Sequence, residues 1–258
     1  MKDFSKLLKS GLDSLSPRIM LYAPQGMGKS TFAAKSPEHV FIDLDNSLGE
    51  IAEANRLPLC ENLQELGEQL EWIEKGNHEH KTLVIDTIDR VEMLFLKQYC
   101  RLNNKSTISE ASWGDETKYA SEMMYDLSKT LERINYRRKM AIIILCHAKI
   151  AKYSPPGIEP YDRFVPRLHE KSAAPLIDSC DAVLFANRQE ISKKKSGRTV
   201  GVDTDGLCRN LYTTDKASHL AKNRYNLPSI LPFDKDTGFS DLVAEIKRGR
   251  VTQQQKGE

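Results

Sequence analysis

Residues 23–31, APQGMGKST, stand directly after the apolar run RIMLYA (18–23) and directly before a helix-compatible TFAAKS. A strand that turns into a helix through two glycines and a lysine has few physical uses. The spacing meets GxxxxGK[ST] at Gly28, Lys29 and Ser30, with Ala23 in place of the first glycine. Glycines let successive backbone N–H groups turn inward around a phosphate, and the helix N-terminus adds a positive dipole end. On this pattern Pro24, Gln25, Gly26, Met27, Gly28, Lys29, Ser30 and Thr31 cradle the phosphates of ATP. Lys29 then reaches the β- and γ-phosphates, and the Ser30 hydroxyl ligates Mg²⁺. The bland alternative is a glycine-rich turn carrying an exposed lysine.

Five short apolar runs punctuate the chain: RIMLYA (18–23), HVFIDLD (39–45), TLVIDT (82–87), AIIILCH (141–147) and DAVLFANR (181–188). Their β-branched, continuous apolar character predicts strands buried on both faces. Helical spacing occupies 63–76, 90–100 and 119–139, the last through a stripe of Met123, Leu127, Leu131 and Ile134. Alternating strand and helix predicts an α/β fold, a mostly parallel sheet flanked by helices. After residue 188, TVGVD, a glycine-containing turn and NLYTT predict an antiparallel β extension at the sheet edge. The reading is one domain over 1–250: an N-terminal segment 1–16, a core 17–190, the extension 191–235 and a closing helix 239–250. The tail 251–258 is expected to be disordered.

Composition excludes several classes. The 258 residues are 40% hydrophobic and 29% charged, enough for one large core. Five cysteines (60, 100, 146, 180, 208) are odd in number and widely spaced, suggesting neither a disulfide framework nor a zinc site. No stretch reaches the roughly 20 apolar residues of a membrane span, and the N-terminus lacks a signal-peptide pattern, so a cytoplasmic protein is expected. A formal charge of +2 implies no partner by itself, yet Arg188 to Arg224 holds nine Lys/Arg against four Asp/Glu. Any basic face is local, and KKKSGR (193–198) is expected to be an exposed hairpin turn adding salt-dependent DNA affinity.

A phosphate loop needs an acidic partner for Mg²⁺ at the end of a neighbouring strand. Asp86, ending TLVIDT, supplies it, unless it only caps the helix that follows; Asp89 falls on the first helical turn and reads as a cap partner. Hydrolysis also needs a group to orient water. Asp43 and Asp45 fall on one strand face, with Asp45 nearer the phosphate side, or else Asp45, Asn46 and Ser47 merely begin a helix. His147, at the end of the fourth strand, touches the γ-phosphate or its water, or is structural.

Taken in order, APQGMGKST, FIDLDNSLGEI, TLVIDTIDRV and IILCHAK resemble the RecA-type ATPase core over about residues 17–235. The chain is most similar to phage nucleotide-binding proteins with a RecA-like AAA domain, a group that includes single-strand annealing ATPases; YDRFVPRLHEKSAAPLIDSCDAVLFANR and LYTTDKASHLAKNRYNLP look like its later motifs. The resemblance implies a RecA-like P-loop NTPase core. It also implies that Asp45, where the family usually has Glu, polarises the attacking water, and that His147 stands at the γ-phosphate sensor position, a glutamine in RecA. Asp45 is one methylene shorter, about 1.5 Å less reach, so slow hydrolysis or a bridging water would follow.

The two DNA-facing loops of that core correspond to 102–118 and 148–164. The second combines Lys149, Lys152 and Arg163 with Tyr153 and Phe164, the mix of phosphate partners and stacking faces that single strands use, unless the aromatics are incidental. Its Pro155, Pro156 and Pro160 predict an extended loop, while Trp113 in the first loop either stacks on a base or anchors the loop. Lys222 and Arg224 in HLAKNRYNLP match paired cations that reach a neighbouring subunit's ATP site; by themselves they read as a solvated edge strand. The expectation is an ATP-hydrolysing, single-stranded-DNA-binding homo-oligomer, ring or filament, that supports annealing or recombination in phage replication, with a single-strand DNA-binding protein as a further partner. A P-loop small-molecule kinase, or a nucleotide-dependent loader or switch, is the competing class.

Overall fold

The computed structural model describes residues 16–110, 114–188, 190–195, 198–203 and 209–255. The segment 1–15, Trp113, residues 196–197, Cys208 and residues 256–258 lie outside the described residues.

The strands are β1 (Arg18–Ala23), β2 (His39–Asp43), β3 (Thr82–Asp86), β4 (Ala141–Tyr153), β5 (Tyr161–Pro166) and β6 (Ala182–Arg188). Five of them form a parallel layer in the order β6-β1-β4-β3-β2. The register sets Ala23 beside His147 and Asp43 beside Asp86, so the ends of β1, β2, β3 and the parallel part of β4 meet at one edge. Alternate residues of each strand enter opposite cores. Met20, Tyr22, Ile42, Ile85 and Ile144 face a core shared with α2 (Leu63–Lys75), α3 (Ile88–Leu102), α4 (Asp115–Arg138) and α5 (Glu170–Ser179). Leu21, Phe41, Val84, Ile143 and Leu145 face the other, shared with α1 (Lys29–Ala34) and α6 (Gly238–Gln255). Burial on both faces is why these strands read as unbroken apolar runs.

Local chemistry starts and stops the helices. Asn62 Oδ1 accepts from Glu65 N at 3.0 Å while Glu65 Oε2 accepts from Glu61 N at 2.7 Å, a reciprocal cap that opens α2. Helix α5 was not anticipated, because Pro175 inside a ten-residue helix masks its pattern. Helix α6 continues to Gln255, five residues into the stretch expected to be disordered.

The expected α/β fold, a mostly parallel sheet flanked by helices with an antiparallel β extension, is the one observed, and the extension is divided. β7 (Glu190–Lys195) and β8 (Arg198–Asp203) pair as a separate two-stranded sheet, with Lys195 opposite Arg198. β9 (Arg209–Tyr212) joins β6 antiparallel, and β11 (Ile230–Pro232) joins β9. The two-residue β10 (Lys222–Asn223) pairs with the start of β6.

The second DNA-loop expectation needs correction. Residues 148–164 are not an extended loop: β4 runs on past the parallel sheet to Tyr153 and pairs antiparallel with β5, from Ala148 opposite Pro166 to Tyr153 opposite Tyr161. Pro155, Pro156 and Pro160 occupy the tip, because proline lacks the N–H a ladder needs.

Candidate nucleotide site

A cleft of 260 Å³ opens at the edge where the parallel strands end, lined by Gln25, Gly26, Gly28, Lys29, Ser30, Asp45, Asp86, Thr87 and His147. Gly26 and Gly28 hold φ of +72° and +91°, the left-handed region that glycine enters without strain. A side chain at Gly28 would also meet Lys235 Cβ at 3.3 Å and Arg209 Nη1 at 3.5 Å. Helix α1 has only six residues, so the loop amides and Lys29 contribute more to the cradle than a long dipole would.

Lys29 is buried, and its Nζ lies 3.4 Å from the carbonyls of both Ala23 and Pro24. Burial lowers its pKa, and the negative charge of Asp86 opposes that. Ser30 Oγ donates to Asp86 Oδ2 at 2.6 Å, which brings the two expected Mg²⁺ ligands together. Burial pushes the Asp86 carboxyl up to about 6, against the Ser30 hydrogen bond and the Lys29 charge. Thr87 Oγ1 is buried at the cleft without a hydrogen-bond partner. A hydroxyl and a carboxylate at the end of a strand, with an orphaned hydroxyl beside them, are oxygen donors of the kind that would hold a hydrated Mg²⁺. That ion keeps several waters and needs only one or two protein oxygens, so it does not require a cluster of carboxylates.

Asp45 lines the cleft but lies beyond the end of β2, correcting its placement on a strand face. Asp43 Oδ1 accepts from the backbone N–H of Asp45 at 3.1 Å and of Asn46 at 2.9 Å, turning the chain there. Asp45 Oδ1 is held by Arg90 Nε at 2.7 Å, a partner on α3 that sequence patterning missed.

Asp89 is no helix cap. Its buried carboxylate accepts from His147 N at 3.1 Å, from His147 Nδ1 at 3.1 Å and from Arg167 Nη2 at 2.5 Å. Burial disfavours its charge, but the hydrogen bonds from His147 and Arg167 outweigh burial and hold it well below the usual carboxylate range. Arg167 escaped the sequence reading because it follows a hairpin and sits 20 residues from His147. Arg209 was missed too: from β9, its Nη1 donates to Met27 O at 2.9 Å and fastens the phosphate loop.

The expected DNA-contacting residues separate. Lys152 and Tyr153 are exposed on the hairpin, and Tyr153 meets Tyr161 edge-on with ring centroids 5.6 Å apart. Arg163 is 8% exposed and its Nη2 donates to Asp215 at 2.6 Å, so it holds the hairpin's base and is not offered to a phosphate. Phe164 stacks on Phe185 at 5.0 Å as part of the core edge. Lys149 Nζ donates to Leu168 O at 2.6 Å. A larger cavity, 540 Å³, lies between this hairpin and α5, with Lys152, Tyr153, Val165, Leu168 and Ile177 among its walls.

Lys222 and Arg224 both turn toward residues 177–181. Lys222 Nζ donates to Ile177 O at 2.6 Å and Asp178 O at 3.0 Å, capping the end of α5. Arg224 Nη1 lies 3.6 Å from Asp181 Oδ1. Burial, and then the neighbouring Arg224 charge, lower the Lys222 pKa.

No helix among the described residues is long and apolar enough to cross a membrane. No curated protein matches the sequence. Among solved structures, the crystal structure of the RadB recombinase is similar at a TM-score of 0.46 and 11% identity, over 86% of this chain and 90% of that one. A family model described as an AAA domain matches residues 15–225, which span the phosphate loop, the strand-end acids and the Lys222/Arg224 segment. The chain belongs to the AAA domain family.

Proposed function

We propose that this protein is a Mg²⁺-dependent ATPase that binds single-stranded DNA as a homo-oligomer and supports strand annealing or homologous recombination in phage replication, in the host cytoplasm. Residues 1–250 would act as one ATPase domain, alongside a single-strand DNA-binding protein. The observation that carries the nucleotide part is the Ser30 hydroxyl on Asp86 beside Lys29 and two left-handed glycines, in a family of nucleotide-dependent domains. Pro24 to Thr31 would enclose the phosphates, Ser30 and Asp86 would hold Mg²⁺, and the ion would neutralise charge on the β- and γ-oxygens when bound.

Mg²⁺ must displace the proton that burial keeps on Asp86 up to about pH 6. Cation affinity should therefore hold from pH 8 to 7 and fall as pH drops through 6, approaching about tenfold per unit below it. For the empty protein the sign is opposite: a raised carboxyl pKa favours the fold below the unfolded value, and that contribution is lost as pH rises through about 6. Calorimetry of Mg²⁺–ADP binding at pH 5.5 and 7.5 checks the first; equal affinities would refute it.

The DNA part is supported by the hairpin, where Lys152 and the Tyr153–Tyr161 pair join an exposed cation to stacking faces. Single-stranded DNA should accelerate ATP hydrolysis. The Lys152→Ala/Tyr153→Ala double variant should need about tenfold more DNA for half-maximal acceleration, since one stacked base contributes roughly 1–3 kcal/mol. Its hydrolysis without DNA should be unchanged. Absence of any acceleration by wild type over a range of salt and strand length would favour the kinase or switch reading instead.

A further inference from the structure

We infer that His147, and not Asp45, accepts the proton of the attacking water, with Asp89 and Arg167 as the positioning residues that aim its ring. This rests on the ATP-hydrolysing reading of the cleft and assigns the base within it. The ring is fixed from two sides. Asp89, on the first turn of α3, accepts from both the backbone N and the Nδ1 of His147 at 3.1 Å. Arg167 binds the same carboxylate through Nε at 3.1 Å, and its backbone N–H donates to His147 O at 2.7 Å. Residues from three segments that are far apart in sequence therefore converge on one imidazole.

That arrangement decides the tautomer. Nδ1 lies 3.2 and 3.1 Å from the two Asp89 oxygens and 3.0 Å from Arg167 Nη2. An ionised carboxylate can only accept, and a lone pair on Nδ1 would face both of its oxygens, so the proton belongs on Nδ1. Arg167 Nη2 gives one N–H to Asp89 Oδ2 and brings its other within 3.0 Å of Nδ1, a single donor set against two carboxylate oxygens that each need a proton between them and the ring. The lone pair is then on Nε2, which makes no hydrogen bond among the described residues, on a side chain that lines the cleft with Lys29, Ser30 and Asp86. A base held by a carboxylate behind it and open in front is built to receive a proton. Asp45 has the opposite setting: its Oδ1 is already occupied by Arg90.

The step balances with water as co-reactant. As the water oxygen bonds to the γ-phosphorus, the bond from phosphorus to the β,γ-bridging oxygen breaks and its electron pair leaves on ADP. The water proton passes to Nε2 and from there to an oxygen of the released phosphate. The charged groups in contact with the ring are Asp89 on α3 and Arg167 after β5, and Lys29, Asp45 and Asp86 line the same cleft.

The test uses the full chain with Mg²⁺–ATP. His147→Ala and Asp89→Asn should each lower kcat about 100-fold, with ATP affinity unchanged. Arg167→Lys should retain more activity than Arg167→Ala, and Asp45→Asn should cost under about tenfold. Long-range ¹H–¹⁵N spectra of wild type with a non-hydrolysable ATP analogue should find the proton on Nδ1, a readout that does not depend on any variant folding. A proton on Nε2, or full kcat in His147→Ala, or loss of ATP affinity in place of kcat, would overturn the assignment in favour of a γ-phosphate sensor. Wild type that binds ATP and leaves it intact would remove the ATPase reading, and this one with it.

Discussion

Lys29→Ala should abolish detectable ATP hydrolysis and weaken ATP binding at least about 100-fold while leaving the fold intact. The reason lies in how poorly the protein's own groups satisfy this cation. The residue is 6% exposed, and its ammonium meets two carbonyls only at 3.4 Å, long for hydrogen bonds. Burial lowers its pKa, so the charge sits where solvent has been removed and a strong partner has not been supplied. A triphosphate supplies that partner. Truncation removes the phosphate contact but also relieves a desolvated charge, so the melting temperature of the empty protein should hold or rise. Saturating ATP adds about 2.7 kcal/mol of stability at 100 times Kd, and this gain should disappear in the variant. A variant that keeps the wild-type ATP-induced shift in melting temperature would show that Lys29 does not bind the phosphates.

The second large effect concerns Lys222 and Arg224, whose position excludes service to their own cleft. Asn223 pairs with Ala182 at the start of β6, and Ala182 pairs with Ile19 near the start of β1. Ala23, where the phosphate loop begins, is four residues further along, about 13 Å at 3.3 Å per residue. The pair therefore lies at the far end of the sheet from the nucleotide, and any phosphate it serves belongs to another copy. Lys222→Ala or Arg224→Ala should retain ATP binding and lose roughly 10³-fold in hydrolysis, the scale of a finger cation in trans. Mixing either variant with Lys29→Ala should restore part of the rate, because some interfaces then combine an intact loop with intact fingers. Restoration that fails at every mixing ratio, or full activity in both single variants, would place the pair in a structural role on α5 and Asp181.

The sequence made the centre of the molecule legible and its connections obscure, for one physical reason. Strands buried on both faces announce themselves as apolar runs, so the five parallel strands were readable, and so was Asp86, because it ends such a run beside a phosphate-loop serine. Contacts made across the fold leave no local pattern. Asp89 reads as a cap from its place on a helix, and only tertiary structure brings His147 and Arg167 to it. Arg163 and Phe164 look like nucleic-acid contacts by composition, yet pairing with β4 turns Arg163 inward onto Asp215 and Phe164 onto Phe185. Helix α5 stayed hidden behind Pro175.

The hydrogen bond from Arg209 to Met27 joins residues 182 positions apart. With Lys235 also packed against Gly28, the late edge of the sheet forms one wall behind the earliest motif in the chain. A segment that contained every recognisable nucleotide motif, from residue 18 through His147, would therefore lack the buttress that keeps its phosphate loop in shape. The shape of the phosphate loop here depends on the antiparallel extension of the sheet. It ties residue 27 to residue 209, and it is a route by which an occupied cleft can be felt at the late strands.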